Sequence, residues 1–396
     1  MAELSFNILA TGLDWPTEKP GGLNIYYRSI CKTLALRHCI EALVCCSEPP
    51  GQEPETNLTL SNISNPLVPM VRRQTAFKKY VHRATNDRRI DIIYSHFAPY
   101  AMGAARIALG KNIPVVVGFH GPWAAEMKVE QAGLKGRIRA AIARRIELQT
   151  YRLADRFIVL SRYFKKILQE DYGISPDKIH IVPGAADIER FRPAEDKMRL
   201  RKELGLPTDK LVVLSVRRLV HRMGLLQLVA AWKEVVRQHP DALLYIGGTG
   251  PLQEALETEI QLNGLEQNVH MLGFIPEELL PAYYQSADLF VVPTQALEGF
   301  GLVTVEALAS GVPVFATPVG GNVEILTRFS PDFLSEDITV DALAKGLNLV
   351  LKHQERWPTA QQCRDYVLSH YTWDQVLQSV ENIFFEVLEQ KGRGKR

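Results

Sequence analysis

The sequence predicts an α/β protein made of two successive units, each with a parallel sheet. Three observations carry this. Short runs of buried-type residues bounded by turn residues alternate with apolar-periodic stretches of helical length. The alternation breaks at a polar, proline-bearing stretch over 190–210 and restarts at Leu211. A chain of 396 residues also exceeds what a single hydrophobic core usually serves. Strands joined through helices must cross over the sheet, which places helices on both faces and makes the strands parallel.

Phe6-Asn-Ile-Leu-Ala-Thr11 reads as the first buried strand, and Gly21-Gly22, after a Pro-containing loop, opens a helical stretch over 23–36. Strands are expected next at 41–46, 91–96, 114–120, 156–161 and 178–183, with helices over 98–109 and 164–171. After the break, strands are expected at 211–216, 242–246, 269–273, 289–293 and 313–316. Helices in that half are expected over 225–238, 252–262, 277–286 and 302–310. Both halves are therefore Rossmann-like, with a first domain over 1–190 and a second over 191–371. The polar tail 390–396 is expected to be disordered.

Composition narrows the class. With 46% hydrophobic and 23% charged residues the chain has the balance of an ordinary globular protein. No apolar run approaches the ~18 residues of a membrane span, and no basic leader precedes an apolar stretch at the N-terminus. A cytoplasmic location is expected, extending to the inner face of the membrane. Cys31, Cys39, Cys45, Cys46 and Cys363 form no Cys-x-x-Cys pair and are odd in number, which points to reduced thiols. Residues 1–195 hold 27 Lys/Arg against 19 Asp/Glu, whereas 196–396 hold 19 against 25. A basic first half suits an anionic acceptor or an anionic membrane surface. Its cations concentrate at Arg72, Arg73, Lys78, Lys79, Arg83, Arg88 and Arg89, and again at Lys135, Arg137, Arg139, Arg144 and Arg145.

The densest chemistry lies in Glu298-Gly-Phe-Gly-Leu-Val-Thr-Val-Glu306, which runs on through Gly311 to Gly320-Gly321. Glycines at 299 and 301 permit close approach of backbone amides to a ligand, and the helix that follows presents free amides and a positive dipole end to a phosphate. Glu306 falls about one turn into that helix and Glu298 just before it, so the two carboxylates can accept hydrogen bonds from hydroxyls on either side of an anion. That arrangement suits a nucleotide sugar.

Taken with the two Rossmann-like halves, this segment resembles the retaining glycosyltransferases of family 4, which have the GT-B fold: two Rossmann-like domains with parallel sheets facing each other across a cleft. The resemblance extends over nearly the whole chain, through Gly21-Gly22 with Tyr26, Phe119-His120-Gly121, Ser161, Val182-Pro183 with Asp187 and Arg190-Phe191, Arg218-Leu219-Val220, Gly248-Thr249-Gly250-Pro251 and Gly273-Phe274. It implies that a final helix over about 372–390 completes the first domain. It implies that Glu298 binds the donor sugar's hydroxyls and Glu306 the ribose, with the amides of Gly299, Phe300, Gly301 and Leu302 on sugar and phosphate. Arg218 matches the arginine on the pyrophosphate, and Gly21-Gly22 the loop that approaches the phosphates. His120 matches the histidine beside the reacting sugar, and Gly273 and Phe274 border the base.

Two positions depart from the family pattern. Met223 stands where a lysine usually precedes Gly224, and Gly184 stands where an asparagine usually follows Val-Pro. Arg222, with Arg217 second, is expected to replace that lysine on the diphosphate, because a guanidinium can bind phosphate oxygens in a bidentate way.

The expected activity is transfer of a sugar from a UDP-, GDP- or ADP-sugar to a sugar, lipid or glycan acceptor. An anionic lipid or a glycan precursor of cell-envelope or polysaccharide synthesis suits the basic half. No Asp-x-Asp motif occurs, so no metal is expected, and no cofactor beyond the donor co-substrate. Nucleic acid is not an expected partner. The alternatives are a sugar-nucleotide epimerase or hydrolase of the same fold, and a degenerate non-catalytic nucleotide-sugar binder. A Rossmann oxidoreductase is disfavoured, since neither half has Gly-x-Gly-x-x-Gly after its first strand.

Overall fold

The structure, a computed structural model, describes residues 5–15, 21–49, 51, 53, 55–130 and 133–392. It contains two compact units: unit 1 is Met1–Gly184 with Trp373–Arg396, and unit 2 is Ala185–Thr372.

Unit 1 runs β1 (Asn7–Thr11), α1 (Gly22–Ala35), β2 (Cys39–Val44), β3 (Leu58–Asn62), α2 (Met70–Asp87) and β4 (Ile92–Ser95). It continues with α3 (Ala98–Gly110), β5 (Val115–Phe119), α4 (Trp123–Glu130), α5 (Leu134–Tyr151), β6 (Arg156–Val159), α6 (Arg162–Tyr172) and β7 (Ile179–Ile181). All seven strands are parallel, in the order β3-β2-β1-β4-β5-β6-β7. The central strands are buried along their length and share a core with Phe77, Ala104, Phe119, Phe157 and Phe164. The sequence pattern does not announce β3. Its residues Leu-Thr-Leu-Ser-Asn lack an apolar run because an edge strand is only partly covered, and here Leu58 alone is buried.

Unit 2 runs α7 (Lys197–Glu203), β8 (Leu211–Val216), α8 (Leu225–Gln238), β9 (Ala242–Gly247), α9 (Gln253–Leu262), β10 (Val269–Gly273) and α10 (Leu280–Ser286). There follow β11 (Leu289–Val292), α11 (Leu302–Ala309), β12 (Val314–Ala316), α12 (Gly321–Phe329), α13 (Val340–Lys352) and α14 (Ala360–His370). Its parallel sheet has the order β10-β9-β8-β11-β12. Trp232, Leu228, Val291, Phe315 and Leu347 lie in one core. The chain winds outward from β8 to β10 and then returns to the other side of β8 for β11. The loops leaving β8 and β11 therefore diverge from neighbouring strand ends, the place where open α/β sheets bind ligands.

The passage out of the first unit comes at Gly184, six residues before the expected 190, and its return at Trp373. Residues 185–191 are tied to unit 2. Ala186 N–H donates to the Tyr371 carbonyl at 3.1 Å, Arg190 pairs with Glu277 at 3.6 Å, and the Phe191 ring packs edge-on to Tyr284 at 5.7 Å.

Helix α15 (Trp373–Gln390) returns to unit 1 and buries Val376, Leu377, Val380, Ile383, Phe384, Val387 and Leu388. These recur at helical spacing on one face, so the helix is held by one apolar stripe. Phe384 meets Tyr94 edge-on at 5.4 Å, and Glu381 pairs with Arg37 and His38, each at 3.0 Å. Gln390 closes this helix; of the tail expected to be disordered, residues 393–396 lie outside the described residues. Among the described residues no helix is long and apolar enough to cross a membrane.

Phe384→Ala is expected to destabilise unit 1 by about 3–5 kcal/mol, the range for emptying a buried aromatic site. Equilibrium denaturation should read this loss. A change under ~1 kcal/mol would show that α15 is not a structural part of the unit.

Candidate functional site

Three of the strands in unit 2, β8, β11 and β12, end near one constellation of side chains. The segment after β8 carries Arg217 and Arg222, that after β11 carries Thr294, Leu297 and Glu298, and α11 and α12 begin beside them. Gly301 is the residue before α11 and adopts φ +101°, a left-handed value that a side chain disfavours, and it supplies no side-chain cap. No side chain caps the first amides of α11, and a helix end of this kind can accept an anion. Gly320 packs so closely that a Cβ there would lie 1.8 Å from the Glu298 carbonyl, and Gly321 N–H donates to that carbonyl at 3.1 Å. The second glycine pair therefore holds the glutamate loop against α12.

Glu298 and Arg217 are each 9% exposed, and Arg217 Nη2 lies 2.6 Å from Glu298 Oε2. Thr294 joins them: Arg217 Nη1 donates to its hydroxyl at 2.8 Å, and the hydroxyl donates to Glu298 Oε2 at 2.9 Å. Burial alone would raise the carboxyl's pKa, but the Arg217 charge and these hydrogen bonds outweigh it and hold Glu298 below the usual carboxylate value of 4.5. Both bonds fall on Oε2, so Oε1 is the oxygen that a ligand hydroxyl would reach. Arg222 is buried too, donates to the Leu297 carbonyl at 3.3 Å and adds its charge to Glu298. Leu297 itself has φ +58°, a strained value for a branched side chain immediately before the glutamate.

Glu306 has the opposite environment. Tyr284 donates to its Oε2 at 3.1 Å, and burial dominates, raising its carboxyl from 4.5 to about 7. Near neutral pH this group exchanges a proton easily, whereas Glu298 stays ionised.

Of the predicted residues, Arg217, Arg222, Glu298, Glu306 and the Gly299–Leu302 turn are gathered at the start of α11. Met223 is buried with Arg222. Arg217 and Arg218 part company, the first buried and the second exposed, as neighbouring residues on an extended segment do. Gly273 closes β10 with φ +67°, and Phe274 beside it is 56% exposed. Gly21, Gly22 and His120 belong to unit 1. There Gly21 precedes α1, again with no side-chain cap.

His120 follows β5, and its Nε2 lies 2.8 Å from Nδ1 of His96 at the end of β4. The rings stack at 5.1 Å, and Tyr26 leans on His120 at 4.9 Å with Trp373 behind it at 5.5 Å. Burial lowers His120 to about 4, and burial with the neighbouring imidazole lowers His96 well below 6.5. Both rings are neutral at physiological pH, one donating to the other.

Sequence reasoning passed over Thr294, Tyr284 and His96. His96 carried a usable signal: like His120 it ends a buried strand in the same parallel sheet. Tyr284 carried none, since a tyrosine in an apolar helix reads as core. Among the described residues no group of three or more His, Cys, Asp or Glu side chains is placed to hold a metal ion.

Comparison with known proteins bears on this arrangement. Residues 196–368 match the family model of Glycosyl transferases group 1, and residues 20–190 match that of Glycosyltransferase Family 4. The chain is 31% identical over 323 residues to a D-inositol 3-phosphate glycosyltransferase of Segniliparus rotundus, covering 77% of this chain and 71% of that protein. It is 34% identical over 210 residues to a GDP-mannose-dependent alpha-(1-6)-phosphatidylinositol monomannoside mannosyltransferase of Mycolicibacterium smegmatis. That match covers 51% of this chain and about half, 54%, of the relative's length. The sucrose-phosphate synthase of Thermosynechococcus elongatus superposes with a TM-score of 0.81 at 22% identity, over 97% of this chain and 100% of that one, a likeness of fold.

Arg217→Met leaves Glu298 a buried carboxylate without its cation, an expected loss of about 3–5 kcal/mol at pH 7. A carboxyl held below its unfolded pKa contributes stability above that pKa and loses it as pH falls. Without Arg217, burial raises the Glu298 carboxyl, so the variant takes up its proton at a higher pH than the wild type does, and the wild-type advantage should shrink as pH falls from 7 toward the ordinary value of 4.5 and below. Denaturation curves from pH 7 to pH 4 check this; a deficit unchanged with pH would show that the pair is not coupled.

Proposed function

The chain belongs to the glycosyltransferases of family 4, with the GT-B fold, and from that membership we propose that it is a retaining, metal-independent hexosyltransferase using a nucleotide-sugar donor. One observation supports the donor role of unit 2 above the others. The uncapped start of α11 lies between two buried carboxylates, one held ionised and one poised near neutrality, at the point where the strand order of the sheet reverses.

In this reading the diphosphate takes the α11 amides with Arg218 and Arg222. Arg222 assumes the part of the family's lysine, since Arg217 is already engaged by Glu298. Glu298 accepts from hydroxyls of the transferred sugar through Oε1, and Glu306 accepts from the two ribose hydroxyls. Gly273 and the exposed Phe274 border the base, and in unit 1 Gly21, Gly22 and His120 keep the roles that the family resemblance implies. As the bond from the anomeric carbon to the phosphate oxygen breaks, negative charge grows on the leaving group. Fixed cations and amides stabilise it there without reorganising. The acceptor oxygen forms its bond on the face that the diphosphate leaves, and its proton passes to a leaving-group oxygen. Configuration is thereby retained.

The donor is a UDP-, GDP- or ADP-sugar; the mycobacterial relative is named for GDP-mannose. For the acceptor, the two relatives are named for inositol 3-phosphate and a phosphatidylinositol mannoside, both phosphorylated. Together with the positive balance of residues 1–195, this supports an anionic lipid or glycan precursor as acceptor and peripheral contact with an anionic membrane surface through α2 and α5.

Turnover of a nucleotide-sugar panel, with and without acceptors and with EDTA present, tests the assignment. Transfer to an acceptor should exceed hydrolysis, and EDTA should leave it unchanged. Glu298→Gln should lower turnover by an amount on the order of 1–3 kcal/mol while free nucleotide binds nearly as before. Arg222→Ala should lose ~10²-fold. Equal weakening of nucleotide and donor by Glu298→Gln would reverse the roles of the two glutamates.

Glu306 generates a pH signature. A carboxyl with a raised pKa favours the folded unliganded protein below its unfolded value of 4.5, an advantage lost as pH rises through about 7. Accepting two ribose hydroxyls requires the ionised form. Nucleotide affinity should therefore increase as pH rises through about 7, with release of a proton on binding. Calorimetry in buffers of different ionisation enthalpy measures that proton; Glu306→Gln should abolish it, and a flat wild-type profile would remove Glu306 from the nucleoside site.

A further inference from the structure

A concavity lies between α4, α5 and α6 of unit 1, and none of its lining residues has a part in the transfer reaction proposed above. It is a cavity of about 570 Å³ with Ala124 and Ala140 among its lining residues and with Lys128, Arg137 and Arg144 around it, facing a single acid, Asp171. Three cations against one carboxylate leave an excess of positive charge over small apolar side chains. Arg144 is fixed in place: its guanidinium lies 3.7 Å from the centre of the Tyr172 ring and donates to the Asp171 carbonyl. Tyr172 is itself anchored, donating to the buried Glu147 at 2.8 Å. One arginine is thus pre-oriented, and Lys128 and Arg137 are exposed and able to close on a ligand.

The neighbouring surface differs from an ordinary solvated helix face. Leu134, Ile138 and Ile142 are 74%, 54% and 58% exposed, and their spacing of four residues puts them in one stripe along α5. Helical geometry places Arg137 and Arg144 along one flank of the stripe and Lys135 and Arg139 along the other. A polar solute would have no use for such a stripe. A helix with apolar residues edged by cations suits the boundary between headgroups and acyl chains, where the apolar side chains leave water and the cations meet anionic lipid.

We infer that the α4–α5–α6 pocket binds the phosphoryl head group of an anionic lipid, while Leu134, Ile138 and Ile142 enter the bilayer interface beside it. Arg137 and Arg144 supply planar donors to the phosphoryl oxygens and Lys128 a mobile charge, the pairing that phosphate esters favour. The site needs neither donor sugar nor acceptor. It rests on the membrane contact proposed above and gives that contact a defined receptor.

Dihexanoyl phosphatidylglycerol, kept below its micellar concentration, is the probe, and calorimetry is the measurement. The full-length protein should bind it saturably at one site. Lys128→Ala/Arg137→Ala, two exposed positions, should weaken binding by at least ~10-fold. Arg72→Ala/Lys79→Ala on α2, which removes the same charge, should leave it within about twofold, and glycerol phosphate should bind at least ~10-fold more weakly than the lipid. Absence of saturable binding, an equal loss in the α2 pair, or glycerol phosphate binding as tightly as the lipid would each overturn the inference. Sedimentation with phosphatidylglycerol vesicles separates the levels of failure: sedimentation without binding of the monomeric lipid keeps the membrane contact and removes the pocket. Unchanged donor turnover in Lys128→Ala/Arg137→Ala keeps glycosyl transfer apart from both.

Discussion

A carboxylate taken out of water must be given a cation or a proton, and unit 2 resolves that requirement twice within one helix length. Glu298 receives a cation. Arg217 and the Thr294 hydroxyl converge on one of its oxygens, and the loops that carry them leave adjacent parallel strands. The glycines packed against this loop follow from the same demand for closeness, since a side chain at Gly320 would occupy the space of the Glu298 carbonyl. The strain at Leu297 is the visible cost of turning the chain so sharply into the glutamate.

Glu306 is instead shifted toward its protonated form. It has a tyrosine hydroxyl where Glu298 has a guanidinium, and its pKa rises to about 7 while that of Glu298 falls. Two residues of the same type, eight positions apart, are thereby suited to different tasks. A permanently charged acceptor suits a group that must hold several hydroxyls in a fixed orientation. On the proposed assignment, a carboxyl poised near neutrality suits a nucleoside whose arrival supplies hydrogen bonds to its ionised form.

Unit 1 treats its polar groups differently. His96 and His120 hydrogen-bond as neutral rings inside an aromatic enclosure of Tyr26, Tyr94 and Trp373, so this pair buries no charge. The unit's cations concentrate on α2 and α5, where arginines and lysines outnumber acids.

The order of strands and helices could be read from the chain because buried parallel strands are continuous apolar runs, and the glutamate segment because its glycines and carboxylates lie close together in sequence. The edge strand Leu58–Asn62 escaped because an edge needs little apolar character, and the unit boundary shifted because Arg190 and Phe191 have partners nearly a hundred residues away. What only the tertiary structure decided is the state of each group. Arg217 and Arg218 are equivalent on paper, and the alternation of an extended segment buries one against Glu298 and exposes the other. Thr294 and Tyr284 joined the glutamates of unit 2, and His96 joined His120 in unit 1, through contacts that no local pattern encodes. Charge state follows from burial and from the nearest partner, and both are set by packing between segments that are distant in sequence.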